Sequence, residues 1–500
     1  MAVAPFNKLA VELVIHILVL LDFETLVTCR QVSQFLRSTI DGSPLLQHEL
    51  ELDAAGQEEP RQALGLDIGV RSQRLKDYNS AWRHLRLEGA KVLSPAPGTL
   101  RMYRLQSGIL ARVYAADDGH HGLVFNKLPG PSRRITPHEW KIDSIGFCIL
   151  DLLMDPAQDL LVLIDISGAV HARSLRTGKH HPDASWPQSQ LQLPLTEDFK
   201  TEFSLSGNLL GVVTKAWVGT HWGPTNLLVL SWKTSDTIVH IWSRRSRSIG
   251  SLVFLNENFI LLSTGGDSAS MKVYDLNSFP RDLARYEDVQ SYCTFAYPGF
   301  TGYSCAIQTN TPIRWTPDKD SDVPFFPAPG GTLLLVEMVI NQRGFQHFIP
   351  LSLLMSRLKS GVTWEWHDWG PQGTVLQDSE LSRIVPWPLD AVCGYRYVQI
   401  SKQASSSDVF LEVYDFSKGR DPPVGGVVRY VHSALWPSPG GLKEIRTALC
   451  CTIKSLRVPT TNVRLPCAMI SEDNVVIVER TSTETGSEEF WIATVETIHA

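Results

Sequence analysis

No stretch of this 500-residue chain approaches the roughly 18 consecutive apolar residues that a membrane-spanning helix needs. Basic surplus is missing too: 46 Lys and Arg face 52 Asp and Glu, for a net charge of −6. No face for nucleic acid is implied by such a balance. The eight cysteines are scattered and form no Cys-x-x-Cys pair, and no Asn-x-Ser/Thr acceptor occurs. The expectation is a cytoplasmic or nuclear chain with reduced, mostly buried thiols. Catalytic signatures are absent as well: there is no glycine-rich phosphate loop, no His-Glu-x-x-His helix and no Gly-x-Ser-x-Gly elbow. No catalytic residue, cofactor or metal is expected.

What is present describes a globular chain of more than one domain, with 43% hydrophobic and 20% charged residues. The net charge resides in one place. Residues 1–60 carry Lys8, Arg30 and Arg37 against nine acids, while the remaining 440 residues balance.

In the same region lies the longest strongly apolar run, Leu13-Val14-Ile15-His16-Ile17-Leu18-Val19-Leu20-Leu21. A surface helix carries one apolar stripe, whereas this run has apolar groups in every direction. Leu26, Val27, Val32, Phe35, Leu36, Ile40, Leu45 and Leu46 follow on short helical pieces. A unit of about 40 residues rarely builds a self-sufficient core. Leaving four such side chains in water would forfeit about 6 to 12 kcal/mol of burial. A partner is implied. The alternative of a secretory signal is opposed by Glu12 at the start of the run, by Asp22 and Glu24 at its end, and by the lack of a small-x-small cleavage site.

Leu9-Ala10-Val11-Glu12-Leu13, Ile17-Leu18, Leu21-Asp22, Leu26, Arg30, Val32-Ser33, Leu36 and Pro44-Leu45-Leu46 resemble an F-box, with Ala10 where Pro is usual. The resemblance implies docking on the Skp-type adaptor of a cullin-based ubiquitin ligase. It gives Leu9, Glu12, Leu13, Ile17, Leu18, Leu21, Leu26, Val32, Leu36, Ile40 and Leu45 as residues shared between adaptor contact and an internal core. Leu13, Ile17, Leu18 and Leu21 are the expected anchors.

Ser43-Pro44 is a cap followed by a first-turn proline, and so a helix start. Residues 53–71 read as a linker. A helix from a Ser72 cap to Leu87 then carries the stripe Leu75, Tyr78, Trp82 and Leu85, suited to docking a helical arm on the next domain.

Beyond residue 90 the chain turns to short β-type runs between turn residues. Apolar runs recur at 160–164, 209–213, 259–262, 333–336, 397–400 and 475–478, each followed by a second strand closing near 174, 231, 275, 352, 415 and 494. This weak repeat points to a β-propeller, with residues 100–130 supplying a further blade. The count is six or seven, and a pair of β-sandwiches is the alternative. Residues 151–182 and the Arg74 to Leu85 helix are similar to F-box proteins with a C-terminal WD-like propeller, although Gly-His and Trp-Asp signatures are largely absent. The expected organisation is α+β and multidomain: an F-box over 1–52, a linker with docking helix over 53–90, and an all-β propeller over 91–500.

Gly266-Asp267-Ser268-Ala269 reads as a connecting turn. His120-His121 and His180-His181 read as loop histidines, since neighbours on an extended segment point apart. Trp222 and Trp369, beside Gly-Pro turns, are candidates for target recognition. The resemblance implies a non-catalytic substrate receptor that binds the adaptor, through it a cullin, and an unknown target protein, with no nucleic-acid or membrane partner. The rival readings are an adaptor-bound scaffold without a ubiquitination role and a ligand-binding or enzymatic propeller.

Overall fold

The computed structural model describes residues 8–60, 65–186, 189–190, 199–218, 221–244, 249–265, 269–280, 283–299, 305–310, 323–328, 330–379, 390–402, 408–417, 427–438, 441–458, 466–480 and 488–495. Five helices come first: α1 (Val11–Leu18), α2 (Phe23–Val32), α3 (Gln34–Gly42), α4 (Pro44–Ala55) and α5 (Ile68–His84). Their breaks are written in side chains. Asp22 accepts from the Thr25 amide at 2.8 Å, Ser33 from Leu36 at 3.1 Å and Ser43 from Leu46 at 3.4 Å, so each caps a helix, and Ser33 and Ser43 also end the one before. Val14, Leu18, Leu26, Ile40, Leu46 and Leu50 form the small core among α1–α4.

The arm helix begins earlier than the sequence suggests. Asp67 accepts from the Gly69 amide at 2.7 Å and is the cap. Ser72 lies inside α5 and reaches Glu51 at 3.3 Å. The helix stops at Leu85, in the left-handed region at φ 48°, and the chain turns directly into a strand at Leu87. The stretch read as a linker is tied down as well: Gln57 and Glu58 pair with Pro327 and Phe326.

The rest is a seven-bladed β-propeller. Among the described residues, seven sheets of four or five strands follow one another along the chain. Leu160–Asp165, Leu209–Val218, Phe259–Thr264, Leu333–Ile340, Arg396–Lys402 and Asn474–Arg480 are the second strands of blades two to seven, and they contain the apolar runs. Third strands end at Ser174, Ser231, Asp275, Asp415 and Val495. In blade five the third strand ends at Pro350, because helix Leu351–Ser356 takes over there. Strands Leu100–Gln106, Ile109–Ala115, His121–Lys127 and His138–Ile142 form blade one.

Closure is by the N-terminal part of the chain. Leu87–Val92 pairs antiparallel with Glu488–Val495, completing blade seven from the opposite end of the sequence. Apolar clusters fill the gaps between blades. Val162 and Leu210 belong to the cluster between blades two and three, and Leu110 and Val476 to the one that seals blades seven and one. Burial between faces, rather than along one stripe, is why these second strands are nearly continuous apolar runs.

Helix α5 lies on one face of the ring. Leu75, Tyr78, Ala81 and Trp82 enter the core of blades five to seven. The Tyr78 hydroxyl and the Trp82 Nε1 both donate to the Glu472 carbonyl, at 2.5 and 3.0 Å. The Arg396 guanidinium lies 4.6 Å from the Trp82 ring centroid and pairs with Asp415 at 3.3 Å. Glu472 and Arg396 sit beside turns between first and second strands, so the arm occupies the face bearing those turns. The face bearing the second-to-third-strand turns is opposite.

Candidate functional site

The apolar run divides between two sides of α1. Val14 and Leu18, four residues apart, point into the core, Leu18 being 1% exposed. Leu13 and Ile17, also four apart, point outward at 54% and 41% exposure. Leu9, Val11, Leu20, Val32 and Leu45 are exposed with them. Glu12 is exposed beside the patch, with its carbonyl 2.7 Å from His16 Nδ1. Leu21 and Leu36 are half-buried against the unit's own core.

Burial moves the expected anchor Leu18 to the core and places Leu26 and Ile40, left open between contact and core, on the core side. Leu18, Leu26 and Ile40 are internal: each is needed to hold the helices together and has no surface left to offer. Val11 and Leu20 are exposed apolar residues that belong with the patch. A helical wheel of the run could have found Leu20, since it lies three residues beyond Ile17.

A family comparison bears on these helices. Residues 6–48 match the model of the F-box domain. The chain carries an F-box. Its match ends at His48 inside α4, so the last turns of that helix and all of α5 lie beyond it. No curated protein matches the chain by sequence. Among solved structures, the chain is similar to the β-propeller domain of Myceliophteria thermophila Cps50 (Swd1), at 10% identity and a TM-score of 0.38, over 82% of this chain and 100% of that one.

The F-box is joined firmly to the arm. Glu59 accepts from His48 at 2.6 Å and pairs with Arg71, linking α4 to α5. Lys76 adds a 3.4 Å pair to Glu51. The exposed apolar patch is thus carried on a helical unit whose other end is packed on the propeller.

On the propeller, Trp369 is not a surface residue. It is 1% exposed, its Nε1 donates to the Ala296 carbonyl at 3.0 Å, and it packs edge-on against Phe295 and Tyr297. The short helix Trp366–Trp369 turns it inward as a wedge of blades four and five. The side chain of Trp222 lies outside the described residues, as do Gly266, Asp267 and Ser268.

The face opposite the arm holds a cleft of about 670 Å³ between blades five and six. Its floor is a chain of amides and phenols. Gln346 Nε2 donates to the Tyr397 hydroxyl at 2.9 Å, and Gln399 Nε2 to the Tyr414 hydroxyl at 2.9 Å and to Glu412 at 2.6 Å. Lys402, Arg429 and Asp378 stand at its rim. Periodicity could not reveal this cleft, because its residues are polar positions scattered over strands that only the ring brings together.

Other polar side chains tie neighbouring blades together. Arg104 on the first strand of blade one pairs with Asp151 on that of blade two at 2.8 Å. Asp390 accepts from the Leu105 amide at 2.8 Å, and burial pushes its carboxyl up to about 6 against the pull of Arg104. His121 accepts from the Ile149 amide at 2.9 Å, and His181 Nε2 lies 2.9 Å from the Gln158 carbonyl. Both are structural. Among the described residues no group of three His, Cys, Asp or Glu side chains could hold a metal, and no helix is long and apolar enough to cross a membrane.

Proposed function

We propose that this chain is the substrate-receptor subunit of a cullin-type ubiquitin ligase: its F-box binds a Skp-type adaptor, and its propeller holds a target protein. The observation that carries the reading is the exposed patch around Leu13 and Ile17 on the F-box. Each of these side chains is half-exposed and so forgoes half of the about 1.5 to 3 kcal/mol of full burial while that part remains in water. The F-box match supports an adaptor as the surface that covers it.

The chain makes and breaks no bonds in this reading. Its contribution is proximity: a target held near the ubiquitin-charged enzyme meets it at high effective concentration. The arm leaves one propeller face open, and the cleft between blades five and six is the concave feature there on which a target would dock. Such a complex would work in the cytoplasm or nucleus.

Co-purification of the full chain with a Skp-type adaptor tests the first step. Leu13→Asp with Ile17→Asp should abolish binding while leaving the thermal unfolding profile unchanged, because both side chains already face water. Undiminished binding by this variant would refute the docking surface. Adaptor binding without cullin-dependent turnover of any co-purifying protein would favour a scaffold role instead.

A further inference from the structure

The arm-bearing face holds a second cavity, of about 520 Å³, that adaptor docking does not use. It lies where the first-to-second-strand turns of blades seven, one and two meet the loop after Lys127. Its volume is within the range of small-molecule sites.

Its chemistry is cationic. Lys127 and Arg134 line the cavity, and among the described residues neither forms an ion pair. Arg134 follows the single turn Pro131–Arg133, against which α5 packs. Arg74 on α5 is close enough to Arg134 for the two guanidiniums to repel, which adds to burial in lowering the Arg74 pKa. The two acids that line the cavity are already engaged, while Glu472, on the turn of Ser471 and 3.9 Å from Arg133, keeps a buried Oε2 without a hydrogen-bond partner among the described residues. Asp473 is held by the buried Arg133, while Asp159 accepts from Ser174 at 2.6 Å and from the Arg176 amide at 3.0 Å.

A hydroxyl is also waiting. Ser471 is 3% exposed and lines the cavity, yet its Oγ has no hydrogen-bond partner among the described residues. A buried hydroxyl without a partner is unfavourable, and a ligand oxygen would supply one. Ser107 Oγ, on the facing turn of blade one, is in the same condition. Ile109, Leu128, Ile135, Trp140 and Leu175 supply an apolar part of the wall beside these polar groups.

We infer that this cavity binds a small phosphate ester, its phosphate held by Lys127, Arg134 and the Ser471 and Ser107 hydroxyls and its body against the apolar wall. Phosphate suits the set because its oxygens accept from both cations and hydroxyl donors, and two of each line this one cavity. Occupancy would neutralise the repulsion between Arg74 and Arg134 and so fasten the arm to blade one. The geometry between F-box and propeller would then depend on the ligand.

Calorimetric titration of the full chain with inorganic pyrophosphate and with adenosine monophosphate tests this, with sulfate as the control for unspecific anion binding. Saturable binding of at least one phosphate probe, tighter than sulfate, is expected, with a rise in melting temperature. Lys127→Gln with Arg134→Gln should weaken it at least about tenfold, both residues being exposed and dispensable for folding. Ser471→Ala should weaken it severalfold, and Arg343→Ala on the opposite face should leave it unchanged. Absence of saturable binding, equal binding of sulfate, or full binding by the Lys127/Arg134 variant would overturn the assignment. Adaptor binding through Leu13 and Ile17 is read in a separate measurement, so either inference can fail alone.

Discussion

Leu160 through Ile164 in blade two are all fully buried, whereas in the largely apolar helix α1 every buried residue has an exposed neighbour. In the propeller both faces of a strand meet another blade, and the ring has no end at which an apolar face is left over. The F-box is too small to enclose itself. The same composition therefore signals stability in one region and a binding surface in the other.

Trp369→Ala would probe the propeller side of that contrast most severely. Removing a fully buried indole should cost about 3 to 5 kcal/mol, read as a lower denaturant midpoint. Loss of target binding with unchanged stability would instead restore the recognition role that its sequence context suggests. In the F-box, Leu18→Ala should cost about 2 to 5 kcal/mol and loosen α1–α4. Leu13→Ala, one turn back on the other side, should stay within about 0.5 kcal/mol in stability while weakening adaptor binding. Equal costs for the two would break the division of the run into inner and outer halves.

Two smaller effects sharpen the comparison. His347 is buried among Tyr297, Trp366 and Trp369, and burial holds its imidazole down to about 3. The unfolded chain takes up this proton below about pH 6.5, the folded chain only near 3. In that window the unfolded state binds more protons, so stability falls as pH falls, by up to about 1.4 kcal/mol per pH unit. Asp390 acts in the opposite sense between its ordinary value and about 6. The check is accordingly the difference between wild type and His347→Phe in urea unfolding at several pH values, which should shrink toward acid pH. Gly56 closes α4 at φ 65°, where an added Cβ would lie 2.7 Å from the Tyr395 ring. Gly56→Ala should cost about 1 to 3 kcal/mol and show as faster proteolysis of the segment between α4 and α5.

Much of the fold was legible. The apolar runs of blades two to seven are all second strands, since a strand buried on both faces must be apolar at successive positions. First and outer strands were not legible, because they are shorter or carry mixed polarity; Val392–Cys393 has only two residues. Leu87–Val92 could not be recognised as the closing strand, because its partner Glu488–Val495 lies at the other end of the chain. The helix stripe Leu75, Tyr78 and Trp82 pointed to docking, but not to the Glu472 carbonyl that accepts from both aromatic rings.

By itself, the sequence determined that the first 48 residues hold more apolar surface than they can bury and that the remainder repeats in β-strands. Both are local properties, set by side-chain hydropathy and its period. Tertiary structure decided which side of α1 faces outward, that Trp369 is a wedge, which propeller face the arm leaves open, and that Lys127, Arg134 and Ser471 share one cavity. Those outcomes depend on contacts between residues on different elements, some of them far apart in the chain, which hydropathy and period along the chain do not encode.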